Sequence, residues 1–514
     1  MKAEVVVIGG GATGAGIFRD LALRGIEAIL LEKNELTSGT SGRNHGLLHS
    51  GARYAVNDPE SGRQCIDENK ILKRIASPCI EDTGGVFLSL PGDPVDYPAI
   101  FFSACKSLGI PIEEISPAEA LQKEPALSPK MKKAFRVPDG SIDPFRLIRS
   151  NVEEAEQLGG KFFPHREAIA VLTHRGRVCS LVARDPRTGE EFPFDCSFII
   201  NATGVWAGRV AQMAGASIEI VFSKGSLVVL NQRLVNTVIN RCRPPGSGDI
   251  LVPNGPALII GTTSKTVVEV DSPAPEEGEV DLLMAEGERI LPAVRTARAI
   301  RAYAGVRPLM GAREGGDDGR KISRDFLLID HGERDGIHGL LSITGGKLTT
   351  YRLMAERTVD TLCRHMGNKT PCTTAEKPLP FPETYDFHEL HSKLRRISEW
   401  KSLGGSEEIL CECELVLKGD VLKEIQKLSH PSLHEVEQRT RAGMGPCQGG
   451  FCSHRLTALL SEANMLPSGT SLPLLKSFLE ERWKGIRPVL WGSQLREEQL
   501  IQALYTELFN LDHH

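Results

Sequence analysis

The chain has 514 residues, which is too long for one hydrophobic core and predicts roughly two to four domains. Its 61 basic and 66 acidic side chains give a formal net charge of −5, which offers no electrostatic case for binding nucleic acid. Apolar residues make up 40% of the chain and glycine occurs 51 times, a composition typical of a turn-rich α/β protein.

The N-terminus predicts a cytosolic protein. The opening "MKAEVVVIGGG" reaches a strand almost at once and leaves no room for a signal or transit peptide. No apolar run approaches the roughly 18 residues that a membrane span needs. In the cytosol thiols stay reduced, so clustered cysteines indicate a metal site rather than a disulfide.

A dinucleotide-binding motif follows the first strand. Val5 to Ile8 is a short β-branched run typical of a buried parallel strand. Gly9, Gly11 and Gly14 form G-x-G-x-x-G, which permits the tight turn, the approach of a pyrophosphate and close packing of helix on strand. Glu32 closes the second strand, where an acid can bind a ribose hydroxyl. The motif therefore predicts a dinucleotide at a helix N-terminus.

Two later segments return to this domain and favour FAD over NAD. The loop "LTSGTSGRNHGLLHSGARY" can run along a large cofactor, and the strands before "NATGVWAG" and within "LLSITGGKL" end in further contacts. A cofactor touched by three separated segments is typical of flavoproteins, whereas an NAD domain is normally continuous. The residues predicted to contact FAD in these segments are Thr40, Ser41, Ala202, Thr203, Gly204, Gly345, Gly346, Lys347 and Leu348.

Four cysteines near the C-terminus form a C-x-C…C-x4-C pattern, made by Cys411, Cys413, Cys447 and Cys452. Four thiolates suit either a [2Fe–2S] cluster or structural zinc, and ligand chemistry alone does not separate them. A flavin delivers electron pairs whereas a distant acceptor chain usually takes single electrons, which favours the cluster. The stretch between the cysteine pairs predicts two short helices. The remaining cysteines, such as Cys65, Cys179 and Cys242, are predicted to be small buried apolar residues.

Several long motifs resemble one family. "IGGGATGAGIFRDLALRG", "RNHGLLHSGARY", "VPDGSIDPFRL", "NATGVWAG", "RAYAGVRPL" and "ITGGKLTTYRLMAE" are similar to the FAD-dependent glycerol-3-phosphate dehydrogenases. The cysteine pattern resembles the small helical [2Fe–2S] domain named after bacterioferritin-associated ferredoxin, and it narrows the resemblance to the A subunits of the anaerobic enzymes. The resemblance covers essentially the whole chain.

The resemblance implies oxidation of sn-glycerol 3-phosphate to dihydroxyacetone phosphate. His49 matches the family histidine beside the flavin, and an ordinary pKa near 6.5 would suit a proton acceptor. Arg307 and Lys347 match residues at the substrate and flavin, and Arg53 and Tyr54 follow His49 closely enough to line the same pocket. The alternatives are a histidine bonded to a backbone carbonyl, arginines in surface salt bridges and a solvated lysine.

One position departs from the family pattern. In "FSKGSLVVL", the motif from Lys224 to Ser226 continues with Leu227, where the single-chain aerobic relatives have histidine. Any role of that histidine is therefore absent here or is taken over by another residue.

The predicted fold class is α/β: a Rossmann-like FAD core of the glutathione-reductase/D-amino-acid-oxidase type, an interleaved α+β substrate cap and a small helical iron–sulfur domain. The predicted FAD domain takes residues 1–80, 140–215 and 320–370, and the cap takes 81–139 and 216–319. A linker at 371–405, the iron–sulfur domain at 406–455 and a helical tail at 456–514 follow.

The family resemblance also implies partners. It implies further dehydrogenase subunits, including a membrane-anchoring iron–sulfur subunit, electron delivery to a quinone pool, and a position on the inner face of the cell membrane. Two other functions stay open from the sequence. One is another flavin-dependent amine or hydroxy-acid dehydrogenase of the opine or proline type, and the other is a non-catalytic flavin and iron–sulfur redox scaffold.

Overall fold

The computed structural model describes the chain apart from residues 311–321, 382–397, 399, 403, 405–407, 429–430, 468 and 512–514. The last residues of the predicted cap, 311–319, and most of the predicted linker 371–405 therefore lie outside the described residues. Within the described part of the chain, no helix is both long and apolar enough to cross a membrane.

A largely parallel sheet forms the centre of the N-terminal part. In spatial order it consists of β20 (Phe326–Asp330), β21 (Leu340–Gly345), β13 (Phe198–Asn201), β1 (Val5–Ile8), β2 (Ala28–Leu31) and β9 (Lys161–Phe163). Only the β20–β21 pairing is antiparallel among these strands. The order explains the short apolar runs in the sequence, because strands from distant segments meet side by side and are covered on both faces.

The two faces of this sheet are covered by different layers. Val5, Val7 and Leu30 pack on one face with helix residues such as Phe18. The other face packs against the antiparallel strands β10 (Glu167–His174), β11 (Arg177–Arg184) and β12 (Glu191–Asp195). The helices of this part of the molecule are α1 (Ala12–Leu23), α2 (Pro59–Ile75), α5 (Pro144–Gln157), α6 (Ala207–Met213), α8 (His331–Asp335) and α9 (Tyr351–Met366).

A large mixed sheet forms the cap. Its strands are β5 (Gly85–Ser89), β6 (Glu113–Ile115), β7 (Lys133–Val137), β14 (Val221–Leu230), β15 (Val238–Arg241), β16 (Ile250–Asn254), β17 (Ala257–Gly261), β18 (Lys265–Thr266) and β19 (Ala299–Leu309). Its helices are α3 (Tyr97–Ser107), α4 (Pro117–Lys123) and α7 (Glu277–Ile290). The long β14–β19 pairing sets Ser223 opposite Arg307 and Leu227 opposite Tyr303. This register positions the cap residues of the site.

A small antiparallel sheet lies between the nucleotide-binding part and the cap. It consists of β3 (Leu47–Leu48), β8 (Gly140–Ile142) and β4 (Ile80–Glu81). His49 follows β3 directly, so this sheet fixes the backbone of the predicted base.

The C-terminal module contains a hairpin of β22 (Ile409–Cys411) and β23 (Val416–Leu417) and the helices α10 (Lys418–Ile425), α11 (Leu433–Thr440), α12 (Ser453–Glu462), α13 (Ser471–Ile486) and α14 (Gly492–Ala503). The two helices predicted between the cysteine pairs are confirmed as α10 and α11. The predicted boundary at 455/456 falls inside α12, and residues such as Leu475 and Ile501 of the tail share one core with Val421 and Val436. Val489 of the tail packs into the core of the cap.

Candidate active site and cysteine centre

A cavity of about 1400 Å³ runs from the glycine-rich turn to the cap. The predicted nucleotide residues lie at one end and His49 and Arg307 at the other. It is lined by Gly9, Gly11, Glu32, Thr40, Ser41, His49, Arg53, Tyr54, Ala202, Thr203, Gly204, Arg307, Gly345, Gly346, Lys347 and Leu348. Of the predicted cofactor and substrate residues, Gly14 alone does not line the cavity, because it packs against the turn from behind.

The glycine turn leaves no space for side chains. A Cβ at Gly9 would lie 2.7 Å from the carbonyl oxygen of Ala202, and a Cβ at Gly14 would lie 1.9 Å from the carbonyl oxygen of Gly9. Gly11 is the N-cap of α1 and offers no side-chain cap, while the Ser41 hydroxyl accepts a hydrogen bond from the Ala12 N–H at 3.0 Å. The helix N-terminus thus faces the cavity and fits the pyrophosphate of a dinucleotide.

Glu32 is held in place for a ribose. Its carboxylate accepts hydrogen bonds from the backbone N–H of Gly10 at 2.7 Å and of Asn34 at 2.9 Å. Burial raises the pKa of this carboxyl above its ordinary value, and the two N–H donors act in the opposite direction. A carboxylate oriented in this way on the cavity wall suits two sugar hydroxyls.

Two other predicted contacts already have protein partners. The Thr40 hydroxyl donates to the carbonyl oxygen of Val306 at 2.6 Å, which ties the loop to the cap. Ser41, by contrast, accepts from the helix N-terminus and keeps its own proton for a phosphate oxygen.

The other cofactor segments meet at the far side of the turn. The hydroxyl of Thr344 donates to the carbonyl oxygen of Gly204 at 3.0 Å and so joins the two segments. Gly345 and Gly346 both have positive φ, at 87° and 68°, a conformation that favours glycine. This turn brings Lys347 back to the cavity.

His49 is buried at the substrate end, with 8% of its surface exposed. Its Nε2 atom lies 3.5 Å from the hydroxyl of Tyr54, and the two rings are 5.2 Å apart. Burial, followed by the charges of His45, Lys347 and Arg53, holds the pKa of His49 well below 6.5. The expected ordinary pKa is therefore wrong, and the ring is a neutral imidazole that can accept a proton.

Three cations line the same cavity as this histidine. Arg53 forms a salt bridge with the buried Asp249 at 2.9 Å. Arg307 donates to the hydroxyl of Thr262 at 2.6 Å. The third cation is Lys347, and burial lowers its pKa.

The Lys347 ammonium donates to the carbonyl oxygen of Arg324 at 2.9 Å and lies 4.7 Å from the centre of the Tyr54 ring. Burial raises the pKa of the Tyr54 hydroxyl to about 12, so this hydroxyl stays protonated. The substrate end therefore combines fixed positive charge with a neutral base.

Two residues of this end were not singled out from the sequence. Arg324 and His45 both line the cavity. His45 lies within the quoted "RNHGLLHSGARY", so its position in that motif was the available signal. Arg324 stands in no motif, and its approach depends on the pairing of β20 with β21.

The clustered cysteines form two thiol pairs. The Sγ atom of Cys411 contacts that of Cys452, and the Sγ atom of Cys413 contacts that of Cys447. Among the described residues, no three His, Cys, Asp or Glu side chains converge closely enough to hold a single metal ion. Two neighbouring pairs fit the two irons of a [2Fe–2S] cluster better than they fit one tetrahedral zinc.

Backbone N–H groups point at these sulfurs. The Cys447 sulfur accepts from the backbone of Phe451 and Gly449, and the contact with the Cys413 thiol lowers the pKa of Cys447 to about 6. The Cys411 sulfur accepts from the backbone of Gly443. N–H donors of this kind stabilise the negative charge of ligating thiolates.

Most of the cysteines outside this pattern are buried single thiols. Cys65 and Cys242 are fully buried, and burial raises the pKa of both thiols. The prediction was wrong for Cys179, which is exposed on β11 because alternate residues of this strand point to solvent.

The cysteine module is anchored beside the cavity through Arg441. This guanidinium contacts Glu414 within the module, Asp143 at the start of α5 and Asn254 at the end of β16, each at 3.2 Å. Glu414 directly follows Cys413, so one arginine joins the cysteine loop to both the nucleotide-binding part and the cap.

The module also contacts the loop that borders the cavity. The amide of Gln438 donates to the carbonyl oxygen of Leu36 at 3.2 Å, and Ser432 donates to the carboxylate of Glu35. The same loop carries Thr40 and Ser41 on the cavity wall. The loop therefore separates the cavity from the cysteine module.

Comparison with known proteins agrees with both halves of this site. The family model described as FAD dependent oxidoreductase matches residues 4–352, and the model described as BFD-like [2Fe-2S] binding domain matches residues 409–462. The chain is thus an FAD-dependent oxidoreductase with an attached [2Fe–2S]-binding domain. The predicted cofactors and fold class are confirmed by these matches.

Full-length relatives narrow the family. The A subunit of anaerobic glycerol-3-phosphate dehydrogenase from Escherichia coli K12 is 43% identical, with 99% of this chain and 97% of that protein covered. The A1 subunit from Haloferax volcanii is 41% identical, with 99% and 91% covered. The chain belongs to the family of anaerobic glycerol-3-phosphate dehydrogenase A subunits. A solved glycerol-3-phosphate dehydrogenase from Bacillus halodurans, complexed with FAD, shares the fold at 21% identity, 96% coverage of each chain and a TM-score of 0.67.

Proposed function

We propose that this chain oxidises sn-glycerol 3-phosphate to dihydroxyacetone phosphate and passes the electrons on through a [2Fe–2S] cluster. The observation that carries the proposal is the substrate end of the cavity, which is lined by Arg53, Arg307 and Lys347 together with the neutral ring of His49. Fixed cations suit a phosphate dianion, and a neutral imidazole suits a hydroxyl proton.

The arginines bind the phosphate in this mechanism. A guanidinium stays charged and offers a planar fork of N–H donors that matches phosphate oxygens. Asp249 orients Arg53, and the hydroxyls of Thr262 and Ser223 orient Arg307 at 2.6 and 3.3 Å. These contacts hold the two forks in place before the substrate arrives, which lowers the ordering cost of binding.

His49 takes the proton of the C2 hydroxyl at its Nε2 atom, where the substrate hydroxyl replaces the Tyr54 hydroxyl that lies 3.5 Å away. The bound FAD supplies the acceptor for the hydride that leaves C2. Lys347 holds positive charge close to this point, where negative charge develops as the hydroxyl proton leaves.

The cysteine module provides the exit for the electrons. Cys411, Cys413, Cys447 and Cys452 would hold the cluster, which can take single electrons. We infer that further subunits, one of them a membrane-anchoring iron–sulfur protein, carry the electrons to a quinone at the inner face of the cell membrane. The existence of further subunits is supported by the subunit naming of the relatives, and the roles given to them here are those that the family resemblance implies.

A substrate panel tests the proposal. Glycerol 3-phosphate, glycerol, lactate, proline and an opine are mixed anaerobically with the FAD-loaded protein, and the bleaching of the flavin absorbance is followed. We expect glycerol 3-phosphate to be much faster than glycerol, because only the ester carries the phosphate. Equal rates with both compounds would contradict the assignment of a phosphate-binding site. Faster bleaching by proline or the opine would favour the amine-dehydrogenase alternative, and no bleaching by any compound would favour the redox scaffold.

A further inference from the structure

The His45 side chain has no role in the mechanism above, yet it lies in the wall of the same cavity. Its ring centre is 6.0 Å from that of His49. The backbone N–H of Leu47 donates to its Nδ1 atom at 3.2 Å. Because Nδ1 accepts this hydrogen bond, the neutral ring carries its proton on Nε2.

The surroundings keep this ring neutral. Burial, followed by the charges of Arg307 and Arg53, lowers the pKa of His45 to about 3. Within the described residues, Nε2 has no hydrogen-bond partner from the protein. The His45 side chain is only partly buried and lines the cavity, so this N–H can donate to a molecule bound there. The donor therefore points to an acceptor that the protein itself does not supply.

The neighbourhood of His45 favours an anionic acceptor. The two charges that act on its ring belong to the arginines assigned above to the phosphate. Gly261 lies against this ring, since a Cβ at Gly261 would be 3.8 Å from the Cδ2 atom of His45. The next residue, Thr262, accepts a hydrogen bond from Arg307 at 2.6 Å, so the ring lies near this arginine.

We propose that His45 is a substrate-binding residue whose Nε2–H donates to the phosphate group of the substrate, between Arg53 and Arg307. The proposal rests on the function proposed above and adds a third protein contact to the phosphate. It makes His45 a determinant of specificity, because an uncharged substrate leaves this N–H unsatisfied. His49 remains the base.

The test uses the FAD-loaded protein and two measurements. One is the KM and kcat for glycerol 3-phosphate with a dye as acceptor, and the other is the dissociation constant of inorganic phosphate from the flavin difference spectrum. In His45→Leu we expect both KM and the phosphate dissociation constant to rise about 10- to 100-fold, the usual value of a hydrogen bond to a charged group. The value of kcat should change by only a few fold. The matched control is His174→Leu, since His174 is exposed at the end of β10 and should leave both constants unchanged.

If His45→Leu does not retain FAD, two further variants test whether Nε2 of His45 donates to the phosphate. The amide of His45→Gln reaches the position of Nε2, whereas the amide of His45→Asn reaches only that of Nδ1. We expect phosphate binding to be retained in the glutamine variant and weakened in the asparagine variant. Equal binding by both variants would overturn the proposal.

The outcomes separate this proposal from the proposed function. If the unaltered protein is not reduced by glycerol 3-phosphate, the proposed function itself fails. If the unaltered protein is reduced and His45→Leu binds phosphate normally with full FAD content, only the role of His45 fails. A fall in kcat with unchanged KM and phosphate binding would also overturn it, since His45 would then act on the proton transfer.

Discussion

The substrate end of the cavity and the cysteine module handle positive charge in different ways. In the cavity, Lys347 lies over the ring of Tyr54, and burial, followed by the charges of His45, Lys347 and Arg53, lowers the pKa of His49. In the module, the buried Arg482 is joined to the carboxylate of Glu498. The first arrangement places positive charge beside a neutral base, whereas the second joins two helices of a small domain.

This difference predicts that the two centres can be disabled separately. The cavity lies within the FAD-binding part and the cap, while the thiols belong to a module with its own apolar core. Damage to one centre should therefore leave the fold and chemistry of the other intact.

The largest effect is expected from Cys413→Ser. Loss of one thiolate should remove the cluster, so iron and acid-labile sulfide fall from about two of each per chain towards zero. Reduction of FAD by glycerol 3-phosphate should continue, whereas transfer to partner subunits should stop. Metal and sulfide analysis after anaerobic purification, together with the electron paramagnetic resonance signal of the reduced protein, measures this.

Cys179→Ser is the matched control, because Cys179 is an exposed thiol far from the pattern. It should keep the iron and sulfide content. A serine variant at Cys413 with full iron content and an unchanged signal would contradict the assignment of this ligand. If the unaltered protein contains one zinc per chain and no sulfide, the module is a structural zinc site and does not transfer electrons.

In His49→Asn we expect the reverse: the cavity loses its chemistry and the cluster is kept. Without the base, reduction of FAD should slow by roughly 10²- to 10⁴-fold, while the FAD and cluster contents stay normal. Stopped-flow absorbance of the flavin measures the rate. Dithionite should still reduce the cluster of the same variant. A near-normal rate would return His49 to a structural role.

Part of this architecture could be predicted from the sequence because it depends on local signals. The strands β1 and β13 are short apolar runs, and the turn at Gly9 and Gly11 has a spacing that few other structures require. The helices α10 and α11 follow from apolar periodicity. Of the predicted cofactor and substrate residues, all but Gly14 line the cavity, although most of the residues that line it were not predicted.

The rest depends on contacts between distant segments. The pairing of Arg53 with Asp249 joins residues far apart in the chain, and neither residue alone predicts it. The low pKa of His49 arises from burial, which only the assembled cap provides. The core shared between the module and the C-terminal tail likewise has no local signature, so a boundary placed from the cysteine spacing fell inside α12.

A smaller effect is expected where the two centres meet. In Arg441→Ala the module should lose its contacts to Asp143 and Asn254, so its position beside the cavity becomes less well defined. We expect transfer from FAD to the cluster to slow several fold, with normal iron content and normal reduction of FAD by the substrate. Rapid mixing with simultaneous flavin and cluster absorbance measures the step.

The control for this variant is Lys423→Ala, because Lys423 is an exposed residue of α10 that pairs with Asp420 inside the module. Its transfer rate should match that of the unaltered protein. Identical rates in both variants would mean that the other contacts, such as that of Gln438 with Leu36, are sufficient to hold the module.

The smallest effect concerns stability against pH and distinguishes the cavity from the module once more. His45 and His49 are neutral in the folded protein because their pKa values lie below 6.5, whereas both histidines bind protons in the unfolded chain as the pH falls through that value. The unfolded state then binds more protons, so stability must fall as the pH is lowered below about 6.5, by up to about 1.4 kcal/mol per pH unit for each histidine. Urea unfolding at pH 7 and pH 5.5, at a fixed excess of FAD, measures this loss. His45→Gln should reduce the loss, while the exposed-site variant His174→Gln should not change it. An equal loss in all three proteins would mean that His45 is not kept neutral in the folded protein, which contradicts the low pKa assigned to it.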